Sequence, residues 1–287
     1  MTIEIDKFTE KLSMRDCKFR KYGLYCKKRG FKRMKKMQNS IIFLGTSHGD
    51  PSLTRFCSST LYTLNGVKIL VDAGEPVSAL LIREKILPST LDAVFLTHMH
   101  VDHANGLGGL YCQILKYPDR KVEMFFADQR SIQPFMLWNN AMKNYTLKEQ
   151  YLEISAVSPD LIWRKNNVQV RPVPTEHMGP DHPSYAYVIE TPQHRILHTG
   201  DLAADFHDFP VWEGEAPFDI CVCEATHIWN HKERFIEKLK KTPIRKLILN
   251  HIGPFWTDGK EDSLQELVSV LPYPVIIAAD GMRTDIK

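Results

Sequence analysis

Residues 95–110 read Phe-Leu-Thr-His-Met-His-Val-Asp-His-Ala-Asn-Gly-Leu-Gly-Gly-Leu, directly after the apolar stretch Leu91-Asp92-Ala93-Val94. Leu91 to Leu96 form a short apolar run, the pattern of a buried strand. His98, His100, Asp102 and His103 therefore leave a strand end within six positions and gather in the loop behind it. Side chains two apart in extended backbone point the same way, so His98 and His100 address one point. Asp102 and His103 follow after the chain has turned and need not address that point. One cluster can then serve two neighbouring metal ions. Imidazole nitrogen and carboxylate oxygen suit borderline metals such as zinc, and a catalytic site keeps a position open for water.

Outward from this run the chain reads as strands first, then strands alternating with helices. Ile41-Ile42-Phe43-Leu44-Gly45-Thr46 is the first convincing strand. Leu61–Leu64 and Val67–Val71 flank Asn65-Gly66, a type I′ hairpin signal, and the second run ends in Asp72-Ala73-Gly74. Helices are expected over 77–85, 104–115, 129–143, 231–241 and 263–271. Further strands are expected over 122–127, 168–173, 185–190, 195–198, 219–223, 246–250 and 275–279. Several strands end in a residue capable of chemistry: Asp72, His98, His177, Asp201, Glu224 and His251. Two packed sheets with helices outside, and the site along the strand ends, would gather them. The expected fold class is α/β, a four-layer αββα sandwich of two mixed sheets. No linker-like stretch divides 41–287, so that span reads as one domain.

The 287 residues are 43% hydrophobic and 25% charged, an ordinary globular composition. No apolar run reaches the roughly eighteen residues of a membrane span. The first thirty residues lack the apolar core of a signal peptide. Cys17, Cys26, Cys57, Cys112, Cys221 and Cys223 match neither a zinc ribbon nor a secreted disulfide framework, and read as reduced thiols of a cytoplasmic protein. The net charge of +3 hides an asymmetry: residues 1–40 carry 13 Lys+Arg against 4 Asp+Glu, the remainder 24 against 30. Residues 1–40 thus read as a basic N-terminal extension, either a solvated arm or an electrostatic tether for nucleic acid or anionic lipid. The body is mildly acidic.

These residues resemble the metallo-β-lactamase superfamily of hydrolases, over about Ile41 to Met282. The family signature His-x-His-x-Asp-His is matched by His98, His100, Asp102 and His103. Its later His, Asp and His resemble His177 in Pro174-Thr175-Glu176-His177, Asp201 in His198-Thr199-Gly200-Asp201, and His251 in Leu249-Asn250-His251-Ile252. The resemblance implies two divalent ions, zinc by default with manganese or iron as alternatives. His98, His100 and His177 would hold one, Asp102, His103 and His251 the other, and Asp201 would bridge them. A metal-bridging hydroxide would be the nucleophile. Asp72 would fix the tautomer of a ligand imidazole from behind. His198 stands as a rival ligand, although its place inside a strand favours the core.

Three features resemble the ribonuclease Z-like branch: Phe43–Pro51 as its opening strand and glycine loop, Arg55 and Ser58-Ser59 before Val71-Asp72-Ala73-Gly74-Glu75, and Glu224-Ala225-Thr226. The last resembles part of a His-Glu-Ala-Thr loop that supplies a proton to the leaving group. Cys223 stands where that His belongs, so His227 is the candidate general acid, with a packing histidine as the alternative. Asp102, Glu224 and His227 are the expected catalytic side chains. Members that process tRNA insert a long arm between the third-motif His and the bridging Asp. Here His177 and Asp201 are 24 positions apart, without room for it. A small anionic phosphodiester, such as a cyclic nucleotide, is the expected substrate. Nucleic acid would bind only through the basic arm, and the resemblance allows a homodimer. Rival readings are an ester, thioester or lactone hydrolase with the same metal site, a di-iron flavoprotein of the same fold, and a non-enzymatic module docking through the arm. The flavoprotein reading needs a Glu where His100 stands and a flavodoxin domain.

Overall fold

The computed structural model describes residues 38–143, 145–210, 212, 216–257 and 260–286; the basic extension read at 1–40 lies outside them except for its last three residues. The described residues belong to one compact unit, Met37–Lys287. Strands β1 (Ser40–Gly45), β2 (Ser59–Leu64), β3 (Val67–Val71), β4 (Ala93–Phe95), β5 (Val122–Phe126) and β6 (Leu152–Ala156) form one sheet with β14 (Arg283–Asp285), in the order β14-β1-β2-β3-β4-β5-β6. A second seven-stranded sheet runs β13-β12-β11-β10-β9-β8-β7. It comprises β7 (Trp163–Lys165), β8 (Val168–Thr175), β9 (Ser184–Glu190), β10 (Arg195–His198), β11 (Ile220–Glu224), β12 (Leu247–Asn250) and β13 (Val275–Ile277). Both sheets are mixed, antiparallel through β1-β2-β3 and β7-β8-β9-β10 and parallel through β3-β4-β5-β6 and β10-β11-β12-β13.

The helices are α1 (Val77–Arg83), α2 (Val101–Ala104), α3 (Leu107–Lys116), α4 (Ile132–Ala141), α5 (Lys232–Lys241) and α6 (Glu261–Val268). Strand periodicity sorts the second sheet's side chains into two layers. Ile196, Ile220, Val222 and Ile248 join a core shared with the first sheet. Leu197, Cys221, Cys223, Leu247 and Leu249 pack with Phe235, Leu239, Leu264 and Val268 of α5 and α6. The same two-faced burial puts Leu107, Leu110 and Ile114 of α3 against the first sheet. The result is the expected αββα order.

The Asn65-Gly66 turn is as read: both residues have positive φ, 48° and 82°, and Leu64 faces Val67 across it. The expected helix at 104–115 is α3, which starts at Leu107, and a separate short α2 precedes it, parted from it at Asn105-Gly106. The break lets the chain approach a strand end closely: a Cβ on Gly106 would lie 2.6 Å from the Ala73 carbonyl. The helix expected at 129–143 opens as a tight turn, Gln129–Ser131, before α4. Strands β6, β7 and β14 were not among the expectations. All three are sheet edges, two of them only three residues long, where one flank is unpaired and the apolar signal is weak. Among the described residues no helix is long and apolar enough to cross a membrane.

Candidate metal centre

The parallel registers bring the chemistry to one rim. Val71 lies opposite Phe95, so Asp72 and the Thr97-His98 segment emerge side by side, and Glu224 lies opposite Asn250, so His251 emerges next to it. Asp72 and His251 both sit just past strand ends with φ of 62° and 54°, left-handed backbone that costs a non-glycine residue about 1–3 kcal/mol. Held strain of this kind concentrates where geometry serves function.

Three imidazole nitrogens form one group. His98 Nε2 is 2.9 Å from His100 Nδ1, and His177 Nε2 is 3.3 Å from the same atom. A second group joins His103 Nε2, His251 Nε2 and Asp102 Oδ2: the nitrogens are 3.0 Å apart, and the carboxylate oxygen is 3.2 Å from His251 and 3.5 Å from His103. Asp201 lies between. Its Oδ2 is 4.0 Å from His98 Nε2 and 3.7 Å from His177 Nε2, whereas its Oδ1 is 3.4 Å from His103 Nε2 and 3.2 Å from His251 Nδ1. One carboxylate thus turns one oxygen to each group. All seven residues are buried except His100, which is exposed, and His177, which is partly so.

Atoms behind the rings set their tautomers. Asp72 Oδ2 accepts from His103 Nδ1 at 2.8 Å, which turns the Nε2 lone pair to the centre. The Leu202 carbonyl accepts from His177 Nδ1 at 3.1 Å with the same effect. Thr97 Oγ1 touches both Asp72 oxygens at 3.0 Å and His98 Nδ1 at 3.1 Å. The Gly49 N–H donates to Asp102 Oδ2 at 2.7 Å.

The same buried carboxylates govern the charge of the rings, favouring a cation at the centre. Burial alone would lower the His103 imidazole, but the carboxylates of Asp201, Asp72 and Asp102 outweigh it and push it up to about 10. Burial together with the neighbouring His103, His177 and His100 holds His98 well below the usual imidazole range. Burial opposes ionisation of Asp102, yet hydrogen bonding to His251 and the fields of His103 and His251 keep its carboxyl below the usual range.

The donor set fits divalent cations. Nitrogens 2.9–3.3 Å apart span the edge of a tetrahedron, about 3.3 Å at a zinc–nitrogen bond near 2.0 Å. Buried Asp201 Oδ1 accepts no well-aligned hydrogen bond, so its lone pairs are available to a cation.

His198 is not part of either group. It is buried and meets the Tyr62 hydroxyl at 2.8 Å through Nδ1, the core role its place in β10 suggested. Cys223 is fully buried among the residues under α5, and burial pushes its thiol pKa well up. His227 does reach the rim. Its Nδ1 is 2.7 Å from Glu224 Oε1 and its ring centroid 5.5 Å from that of His177. Burial lowers the His227 imidazole, and the Glu224 carboxylate reverses this to a net rise.

His48 escaped the sequence reading as a site residue. It packs edge-on against His251 at 4.8 Å and lies 6.2 Å from His227. Its Nδ1 is buried without a hydrogen-bond partner, and the ring joins Asp201 and His251 as a third grouping of cation-ligating atoms. Its place in the glycine loop after β1 was the one available signal. A surface groove of about 830 Å³, lined in part by Arg164, Lys165, His194 and Arg245, opens at the opposite strand ends and shares no residue with this cluster.

Between His177 and Asp201 the chain is occupied by β9 and β10, and no inserted arm is present. A family profile described as "Anti-Pycsar protein Apyc1" matches residues 39–252. Ribonuclease Z of Prochlorococcus marinus (strain NATL2A) is 30% identical over 314 aligned residues, covering 86% of this chain and 99% of the relative. That share of 287 residues falls well short of 314, so the relative carries several dozen positions without a counterpart here. Among solved structures, the metallo-β-lactamase fold protein YhfI from Bacillus subtilis superposes with a TM-score of 0.69 at 19% identity, covering 87% of this chain and all of its own. Human tRNase Z, short form, superposes with a TM-score of 0.66 at 19% identity, covering 86% and 99%.

Proposed function

This chain belongs to the anti-Pycsar protein Apyc1 family, among ribonuclease Z-like hydrolases of the metallo-β-lactamase fold, and on that premise we propose that it hydrolyses a small phosphodiester. That it is a metal-dependent hydrolase follows from its relatives and its fold. The finer reading is a dinuclear centre: His98, His100 and His177 would hold one divalent ion, Asp102, His103 and His251 the other, and Asp201 would serve both. The observation that carries it is Asp201 presenting Oδ2 to one group and Oδ1 to the other. Zinc suits the nitrogen-rich donor set, and manganese and iron are accepted by the same residue types. When bound, the ions supply charge stabilisation for the phosphoryl group and a water of lowered pKa.

The chain's own residues do the rest. Asp72 and the Leu202 carbonyl hold His103 and His177 in the tautomer that presents Nε2. Glu224 holds the Nδ1–H of His227 and favours the protonated ring, leaving Nε2 to give a proton to the departing oxygen. Two carboxylates against two divalent ions leave positive charge for an anionic diester. Size selection rests on the direct β9–β10 passage and on the acidic body, 24 Lys+Arg against 30 Asp+Glu over 41–287, where wrapping tRNA needs a basic footprint. A cyclic nucleotide fits these limits.

The test is a substrate panel on purified protein: bis(p-nitrophenyl) phosphate, 3′,5′-cyclic nucleotides and a tRNA precursor against p-nitrophenyl acetate and acyl lactones. Turnover of the first two with no tRNA cleavage is expected. Lactone or ester turnover without phosphodiesterase activity would overturn the reading in favour of a carboxylic ester hydrolase.

A further inference from the structure

Strands β11 and β12 run parallel with Glu224 opposite Asn250. Their continuations stay paired beyond the sheet. Thr226 Oγ1 donates to the His251 carbonyl at 2.7 Å, and Gly253 backs directly onto Thr226. Each continuation then makes one tight turn, His227–Trp229 and Pro254–Trp256. Trp229 is five residues beyond Glu224 and Phe255 five beyond Asn250, so the equal offset brings the two rings together. They stack with centroids 4.5 Å apart and planes 5° from parallel. Both remain about half exposed, at 46% and 47%. The Lys232 ammonium lies 5.7 Å from the centroids of both Trp229 and Trp256. The loops that carry His227 and His251 thus hold two half-exposed, stacked aromatics with a cation beside them.

We propose that Trp229 and Phe255 form a stacking platform for the base of a nucleotide phosphodiester bound at the candidate metal centre, with the Lys232 ammonium over the Trp229 ring supplying positive charge beside it. Every base offers a π-face to such a platform, and a planar heterocycle extends a stack that is already ordered. The platform grows from the two loops that carry His227, the candidate general acid, and His251, a candidate ligand. This rests on the phosphodiesterase reading above and adds the substrate's base to it.

The experiment compares a 3′,5′-cyclic nucleotide with the same cyclic ribose phosphate carrying hydrogen in place of the base. Trp229→Ala and Phe255→Ala in the full chain are expected to raise KM for the nucleotide about tenfold, the low end of what a stacked base contributes. The base-free diester should keep its KM, and kcat should hold for both. Trp229→Phe, which retains a ring, should restore most of the nucleotide KM. Equal losses on both substrates, no change on either, or a fall in oligomeric mass in the alanine variants would overturn the proposal. The last would make the pair a contact between copies of the chain. Should the wild type hydrolyse no phosphodiester, the proposed function fails separately. Quenching of tryptophan emission by a nucleoside monophosphate, lost in Trp229→Ala, then supports stacking, and its absence overturns it.

Discussion

Glu224 and His227 show how one buried carboxylate sets the chemistry of its neighbour. Burial lowers the His227 imidazole, and Glu224 at 2.7 Å reverses that to a net rise. A general acid works while protonated, so activity should be present below the His227 pKa and fall as pH rises through it. Removing the carboxylate removes the upward push. Glu224→Gln is therefore expected to move the descending limb of the kcat–pH profile to lower pH, and an unmoved limb would assign the proton donor elsewhere. His48 permits a second test at this scale. Burial, then the nearby His251, lowers its imidazole, so the ring is neutral near pH 7. His48→Phe keeps the edge-on packing against His251 and removes both nitrogens. Turnover is expected to fall about tenfold or more, in the range of lost proton-transfer or hydrogen-bonding groups, with bound metal unchanged. A fall in bound metal would make His48 a ligand instead.

The elements meet at close tolerances behind the site. Gly74, just past β3, faces the N-terminal turn of α2, and a Cβ there would lie 2.1 Å from the Asp102 carbonyl and 2.6 Å from Cys57 Cβ. Gly74→Ala is expected to lower stability by about 2–4 kcal/mol in urea unfolding and to displace Asp102. An unchanged midpoint would mean that α2 can shift freely. This tolerance also separates what sequence could reveal from what it could not. The His-x-His-x-Asp-His run, the Asn65-Gly66 turn and the apolar central strands are local patterns whose physics is complete within a few residues. The break between α2 and α3 depends on Gly106 meeting Ala73, thirty-three positions earlier, and no local periodicity records it. Strand β14, Arg-Thr-Asp, owes its pairing with β1 to the sheet rather than to its own composition. The stacking of Trp229 on Phe255 and the edge of His48 against His251 likewise follow from strand register, which the sequence carries only once the sheet order is known.

Across the whole molecule, two sheets hold seven dispersed side chains at one rim, while the net positive charge comes from 1–40, 13 Lys+Arg against 4 Asp+Glu. If the sheets alone make the enzyme, deleting residues 1–36 should leave kcat/KM on a small diester within about twofold, a difference of roughly 0.4 kcal/mol. Activity that survives Asp102→Ala but is lost on that deletion would instead favour a module acting through the arm. The most direct measurement of the central claim is elemental analysis of the purified protein, paired with bis(p-nitrophenyl) phosphate hydrolysis, for the wild type and His251→Ala. The wild type should hold about two divalent ions per chain, and the variant should hold fewer and lose hydrolysis, as a site missing one ligand does. A wild type that binds no metal, or a variant that keeps both its ions and its activity, would contradict the two-ion centre.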